Sequence, residues 1–195
     1  DLPANAGENL VSIAKEELGK LHDDPALWNF WWPRFYNISD WLVSHETSWR
    51  AHVADIKPEI NGQIQMNISG KAFTLTARAD RIDTLDNGEM AIIDYKSGGT
   101  YAQTGIKTGQ SPQLSLEAMI LMDGGFQDIP ATNVDTLAYW KLTGGHKAGE
   151  VTKVDEGIAD IVGRTREGLE NLIAIFDDPE TPYYALPASD NIPRF

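Results

Sequence analysis

The chain has 195 residues, a formal net charge of −13 and no cysteine. That length supports one substantial core, and the lack of cysteine excludes disulfides, thiolate-bound zinc and iron–sulfur clusters while fitting a reducing compartment. The acidic balance argues against a pure DNA-binding module: if the chain acts on nucleic acid, contact should be local and metal-bridged, with affinity supplied by another domain or subunit.

No apolar run is long enough for a transmembrane helix, and no cationic-apolar signal segment opens the chain. Asp1–Gly7 reads as a linker. From Glu8 to His22, Leu10, Ile13, Ala14, Leu18 and Leu21 recur at helical spacing, and Asp23-Asp24-Pro25 stops the helix. An aromatic run follows, from Leu27 to Trp32, then Pro33 as the first residue of a new helix. Phe35, Ile38, Leu42, His45, Trp49 and Val53 form one face of that helix, which the spacing carries to about Ala54. The tryptophans at 28–32 are expected to pack as core, or as a contact surface whose neighbour is missing; a base-stacking platform is the rarer use of such residues.

Two strands come next, Glu59–Gln65 and Phe73–Ala79, joined through a turn at Ser69-Gly70-Lys71. Gln63, Gln65 and Asn67 alternate with Ile64, Met66 and Ile68, the pattern of a sheet with one solvated face. Glu59 is either a solvated strand-end carboxylate or a further oxygen aimed at the acidic patch described next.

The stretch Ala77–Gly98 holds the chemistry. Two apolar-rich strands flank Asp86-Asn87-Gly88, a strong hairpin signal. The hairpin brings Asp80 toward Asp94, and the period of two puts Asp94 and Lys96 on one face. Two carboxylates beside an ammonium suit a hard divalent cation next to a group that holds a phosphate or a water. The blander reading is a solvated hairpin with an ordinary ion pair. Against it, Asp94 follows the apolar run Ala91-Ile92-Ile93, so its charge sits at the mouth of a core and needs compensation.

Ser97–Gly109 reads as loop, and Ser111-Pro112 opens a helix over Gln113–Met122 that Gly124-Gly125 ends. Gln113 and Glu117 stand one turn apart on this otherwise apolar helix, facing either solvent or the acidic patch. Val134–Leu142 is a strand, Thr143–Gly149 a glycine-rich turn, and Asp155–Phe176 a long amphipathic helix before an extended tail at 177–195. The whole reads as one domain: a helical part at 1–55, a core of sheet and helices at 56–176, and the tail. Its order, αβββαβ, is the minimal pattern of the restriction-endonuclease-like α/β fold, a mixed sheet flanked by helices.

The segments ARADRID, AIIDYKSG and SPQLSLEA, in that order, resemble the RecB-like nucleases of the PD-(D/E)xK superfamily. Within it they are most similar to the C-terminal nuclease domain of alphaproteobacterial-type AddB helicase–nuclease subunits. The resemblance implies a Mg²⁺- or Mn²⁺-dependent DNA exonuclease in double-strand-break repair and recombination. It implies a single-stranded DNA end and an AddA-type subunit as partners, and a cytoplasmic, nucleoid-associated setting. It makes Asp80 and Asp94 metal ligands, adds the backbone carbonyl of Tyr95, and casts Lys96 as the catalytic lysine with Gln113 beside the site touching substrate. Glu117 stands where the family's helix motif has tyrosine, and the cysteines of cluster-bearing relatives are absent. The family's upstream histidine is not matched by His22 or His45, so a fragment of a longer chain is expected. The alternative function is a catalytically inactive module of the same fold for docking or strand guiding.

Overall fold

The computed structural model describes residues 2–18, 27–99 and 102–183. Its centre is a five-stranded sheet in the order β1-β2-β3-β4-β5: β1 (Val53–Ile68), β2 (Lys71–Leu85), β3 (Met90–Lys96), β4 (Val134–Leu142) and β5 (Gly149–Val154). Strands β3 and β4 run parallel; every other neighbouring pair is antiparallel. The expected mixed sheet flanked by helices is therefore borne out.

Sequence alternation decides which face each residue serves. On one face, Ile82, Ile92 and Leu137 pack beneath α4 (Gln113–Met122) and α5 (Ile158–Phe176). On the other, Ile93, Ala138 and Trp140 meet Leu42 and Trp49 of α2 (Trp32–Trp49). Central β3 is covered on both sides, and Ala91, Ile92 and Ile93 are fully buried, as its apolar run required. The outer half of β1 keeps the one-sided alternation: Ile64, Met66 and Ile68 are buried while Gln63, Gln65 and Asn67 are exposed.

Several local expectations need correction. The first helix, α1 (Ala6–Leu18), begins inside the expected linker; its expected continuation, the Asp23-Asp24-Pro25 stop and His22 lie outside the described residues. Helix α2 stops at Trp49, a 3₁₀ turn at Arg50–His52 follows, and Val53 opens β1 by pairing with Leu85. Tertiary pairing there outweighs the helical spacing of Val53. The stretch read as loop contains a short helix, α3 (Gln103–Thr108), closed by Gly109 at φ 79°. Strand β5 was not expected: the turn after β4 is a hairpin, with Thr143 and Gly144 N–H both donating to the Ala148 carbonyl. Helix α5 accordingly starts at Ile158, not Asp155. The tail beyond residue 183 lies outside the described residues.

The aromatic run is not core. A π-helical turn at Leu27–Trp31 leads into α2, and Phe30 and Trp31 are 57% and 55% exposed. Trp32 is half-buried between Trp28, Phe35 and Tyr36, with ring centroids 5.4–5.6 Å apart. The alternative expectation, a contact surface, is the one that matches this exposure.

Candidate active site

The site lies where β2 and β3 part. Their pairing runs from Thr84↔Met90 to Arg81↔Ile93 and goes no further. One step beyond, the Asp80 carboxylate takes over from the backbone, with Tyr95 N–H donating to its Oδ2 at 3.0 Å. On the other side of β2 the β1 ladder skips the same level, between Pro58↔Arg81 and Ile60↔Ala79, where Glu59 takes a left-handed φ of 53°. Ala79 and Ile82 both join the α4-side core although they are three residues apart, so β2 changes faces around Asp80.

Asp94 and Lys96 follow Ile92 on the α4 face of β3. Lys96 Nζ lies 2.7 Å from Asp94 Oδ2 and 2.9 Å from Gln113 Oε1. The Gln113 amide donates to Asp94 Oδ1 and, at 3.2 Å, to Glu117 Oε1. Gln113 thus ties the strand pair to the helix, its carbonyl oxygen taking the lysine and its nitrogen the two acids. Helix α4 is apolar nearly all round and buried against the sheet, so Glu117 is held inside at the patch, while Gln113, exposed at the first residue of the helix, reaches the patch through its amide.

This patch carries more negative charge than it neutralises. Asp94 is 2% exposed and Glu117 3%. Burial raises the Asp94 pKa; Lys96 opposes the rise and Asp80 adds to it. Glu117 is pushed up to about 7, chiefly by burial, with Gln113 opposing and the charges of Asp94 and Asp80 adding. Its Oε2 is buried without a hydrogen-bond partner. Among the described residues, no three acidic or imidazole side chains close into a cage for an ion. Mg²⁺ does not need one: it binds through one or two carboxylates and keeps several waters. A set of hard oxygens with an orphaned carboxylate oxygen and a single ammonium fits such a cation, with Asp80 and Asp94 as the residues that would hold it.

The remaining expected site residues are placed as follows. Glu59 is turned to Arg78, at 2.8 Å, with both side chains more than half exposed. Tyr95 meets the site through its N–H to Asp80; its carbonyl stays a ligand by resemblance only. Its ring points to the opposite face, where Arg81 Nη1 donates to the phenol oxygen at 3.1 Å.

That opposite face holds a buried network: the sequence reads Arg81 and Asp83 as structural residues, but does not pair them with their partner Glu46. Arg81 donates to Asp83 through Nε and Nη2, both at 2.7 Å, and forms a short ion pair with Glu46 of α2. Trp49 Nε1 donates to Asp83 Oδ2 at 2.7 Å, and Arg50 Nε pairs with Glu46 at 2.7 Å. Burial works against the Arg81 charge, but its bonds to Asp83 and Glu46 outweigh that and raise its pKa. The available signal was the R-x-D spacing in β2 beside an apolar helix face carrying Glu46. His45 sits in the same layer between Trp41 and Trp140, with ring centroids at 4.8 and 4.4 Å, remote in role from the acidic patch.

A family model of the PD-(D/E)XK nuclease superfamily matches residues 8–186. The chain belongs to this superfamily. Its members generally use Mg²⁺ or Mn²⁺, in keeping with the oxygen-rich patch. Among curated proteins, the chain is 24% identical over 173 residues to an uncharacterized protein of Rickettsia bellii, covering 82% of this chain and 21% of that protein. It is 29% identical over 106 residues to an uncharacterized protein of Rickettsia typhi, covering 54% of this chain and 12% of the relative. The chain thus spans about a fifth or less of the length of these relatives. Among solved structures, "Crystal structure of SSO0001" aligns over 90% of this chain and 76% of its own, at 15% identity and a TM-score of 0.37.

Proposed function

We propose that this PD-(D/E)XK domain is a Mg²⁺- or Mn²⁺-dependent deoxyribonuclease, the nuclease module of a longer AddB-type helicase–nuclease subunit. In that reading it trims single-stranded DNA ends during double-strand-break repair and recombination, beside an AddA-type subunit in the cytoplasm at the nucleoid. The observation that carries the catalytic part is the junction of Asp80, Asp94, Lys96 and Gln113 at the point where β2 and β3 separate. The far greater length of the rickettsial relatives supports a module within a multidomain protein. No helix among the described residues is long and apolar enough to cross a membrane.

Phosphodiester hydrolysis needs an in-line nucleophile and relief for charge building on the phosphoryl oxygens. A bound divalent cation supplies an acidified water and a positive charge at the phosphate. The side chains do the positioning. Asp80 and Asp94 fix the acidic pole, one held by the Tyr95 N–H and the other by the Gln113 amide. Lys96 presents Nζ at that pole, where it orients a water or meets the phosphoryl oxygens in the transition state. Gln113, accepting from Lys96, keeps the ammonium at the mouth of the patch.

The test is cleavage of end-labelled single-stranded DNA in Mg²⁺ by the intact protein and by Lys96→Ala. We expect the variant to fold and to lose activity by a factor of at least about 10². Cleavage retained by Lys96→Ala removes this lysine from the mechanism. An intact protein that cuts nothing in Mg²⁺ or Mn²⁺ leaves the docking or strand-guiding module.

A further inference from the structure

We propose that Phe30 and Trp31 form a base-stacking shelf for single-stranded DNA, joined to the acidic patch by a lysine track over the ends of β3 and β4. The proposal rests on the nuclease reading for the identity of the strand and adds where the strand lies before it is cut.

Neither ring contributes to a core. Both are more than half exposed, whereas neighbouring Trp32 is taken up by stacking within its own segment. Exposed aromatics at the head of a helix offer apolar ring faces, and every base has a π-face to lay on them. Arg34 stands 4.2 Å over the Phe30 ring, so a cation already borders the shelf.

The shelf belongs to the same end of the sheet as the site. Gly144, just past β4, accepts from Asn37 of α2 at 3.0 Å, and an added Cβ there would collide with the Arg34 carbonyl. β4 itself ends beside β3, with Lys141 paired in register to Lys96. Leu137, Tyr139 and Lys141 alternate onto the α4 face, and Lys96 Nζ lies 5.5 Å from the Tyr139 ring. From Lys141 to Gly144 is roughly 10 Å of extended chain. Lys147, with its side chain 77% exposed, sits past Gly144 on the turn between β4 and β5, with Glu150 4.0 Å away as its acidic neighbour. Lys96, Lys141, Lys147 and Arg34 therefore follow one another round the end of β4 from the α4 face to the α2 face, Lys96 paired with Asp94 and Lys147 beside Glu150, in a chain whose net charge is −13. A polyanion repelled by most of the surface is accepted along that line, and its bases reach the two rings at the far end.

A protein partner would also use exposed rings; the basic line running from them into the patch favours a nucleic acid strand. The experiment measures binding of fluorescein-labelled oligo(dT) to the full chain in EDTA at fixed low salt. It is paired with Mn²⁺-dependent hydrolysis of bis(p-nitrophenyl) phosphate, too short to reach the shelf. Phe30→Ala with Trp31→Ala is expected to weaken oligonucleotide binding about tenfold or more while the small ester is hydrolysed as before. Lys147→Glu is expected to weaken binding and flatten its salt dependence. Unchanged oligonucleotide affinity in the double variant overturns the shelf, as does loss of ester hydrolysis in step with binding. A double variant that loses self-association and keeps its oligonucleotide affinity also overturns it. If the rings matter for binding but wild-type protein cleaves neither substrate, the shelf stands and the nuclease reading falls.

Discussion

Two buried polar clusters stand back to back on the same two strands, and they solve the problem of buried charge in opposite ways. Behind the sheet, Glu46 and Asp83 meet Arg81 and Arg50, so two acids face two guanidiniums and Trp49 supplies a further donor. In front, Asp80, Asp94 and Glu117 share a single ammonium, Lys96, and one Glu117 oxygen has no hydrogen-bond partner. Adjacent residues feed the two sides: Arg81 follows Asp80, and Tyr95 separates Asp94 from Lys96. A closed network is a structural device, whereas a cluster of three acids around one ammonium leaves a place for a further cation. The rear cluster also bolts the strands together through Arg81 and Tyr95 at the level where the front cluster opens.

The largest effect should come from breaking the closed side. Arg81→Met strands Asp83 and Glu46 as buried acids without their main partner. We expect a loss of about 3–5 kcal/mol in urea unfolding; a loss under about 1 kcal/mol would mean the network is not balanced by Arg81.

The open side should respond with the opposite sign. Glu117 titrates near 7 when folded against an ordinary 4.5, so its folded pKa is raised. The resulting cost is absent below about pH 4.5, grows as pH rises through 7 and stays constant above. Glu117→Gln is isosteric, keeps the acceptor for Gln113 and removes the charge. In metal-free protein at pH 8 it should stabilise by about 2–3 kcal/mol, with the gain vanishing by pH 4.5; chemical denaturation across that range reads it directly. No gain at pH 8 would show that the front cluster is already compensated.

The smallest effect belongs to His45. Burial lowers its pKa below 6.5, helped by Arg81 and opposed by Glu46. Its contribution is therefore fully present above pH 6.5 and declines as pH falls below it. His45→Phe keeps a ring between Trp41 and Trp140, and should flatten the stability profile between pH 6.5 and 5 by less than about 1 kcal/mol.

The sequence exposed much of the front cluster because its parts are local. Asp94 and Lys96 share a face by strand period alone, and Gln113 and Glu117 share one by helix period. The Asp86-Asn87-Gly88 turn fixes which residues of β2 reach Asp94. The rear cluster was illegible for the converse reason: Glu46 and Arg81 meet only once α2 is laid across the sheet. Strand β5 was hidden behind a glycine-rich turn, although Glu150, Val151, Thr152 and Lys153 alternate as an edge strand does. The end of α2 was misplaced because Val53 continues the helical stripe and the β1–β2 ladder claims it. At 28–32 aromatic composition alone did not distinguish core from surface; the π-helical turn rotates Phe30 and Trp31 outward.

The central claim is that the front cluster is short of a divalent cation. Calorimetric titration of the intact chain with Mn²⁺, repeated with Asp94→Ala, tests it most directly. The account predicts saturable binding by the wild-type protein that disappears in the variant. Absence of saturable binding, or equal binding by both proteins, contradicts it.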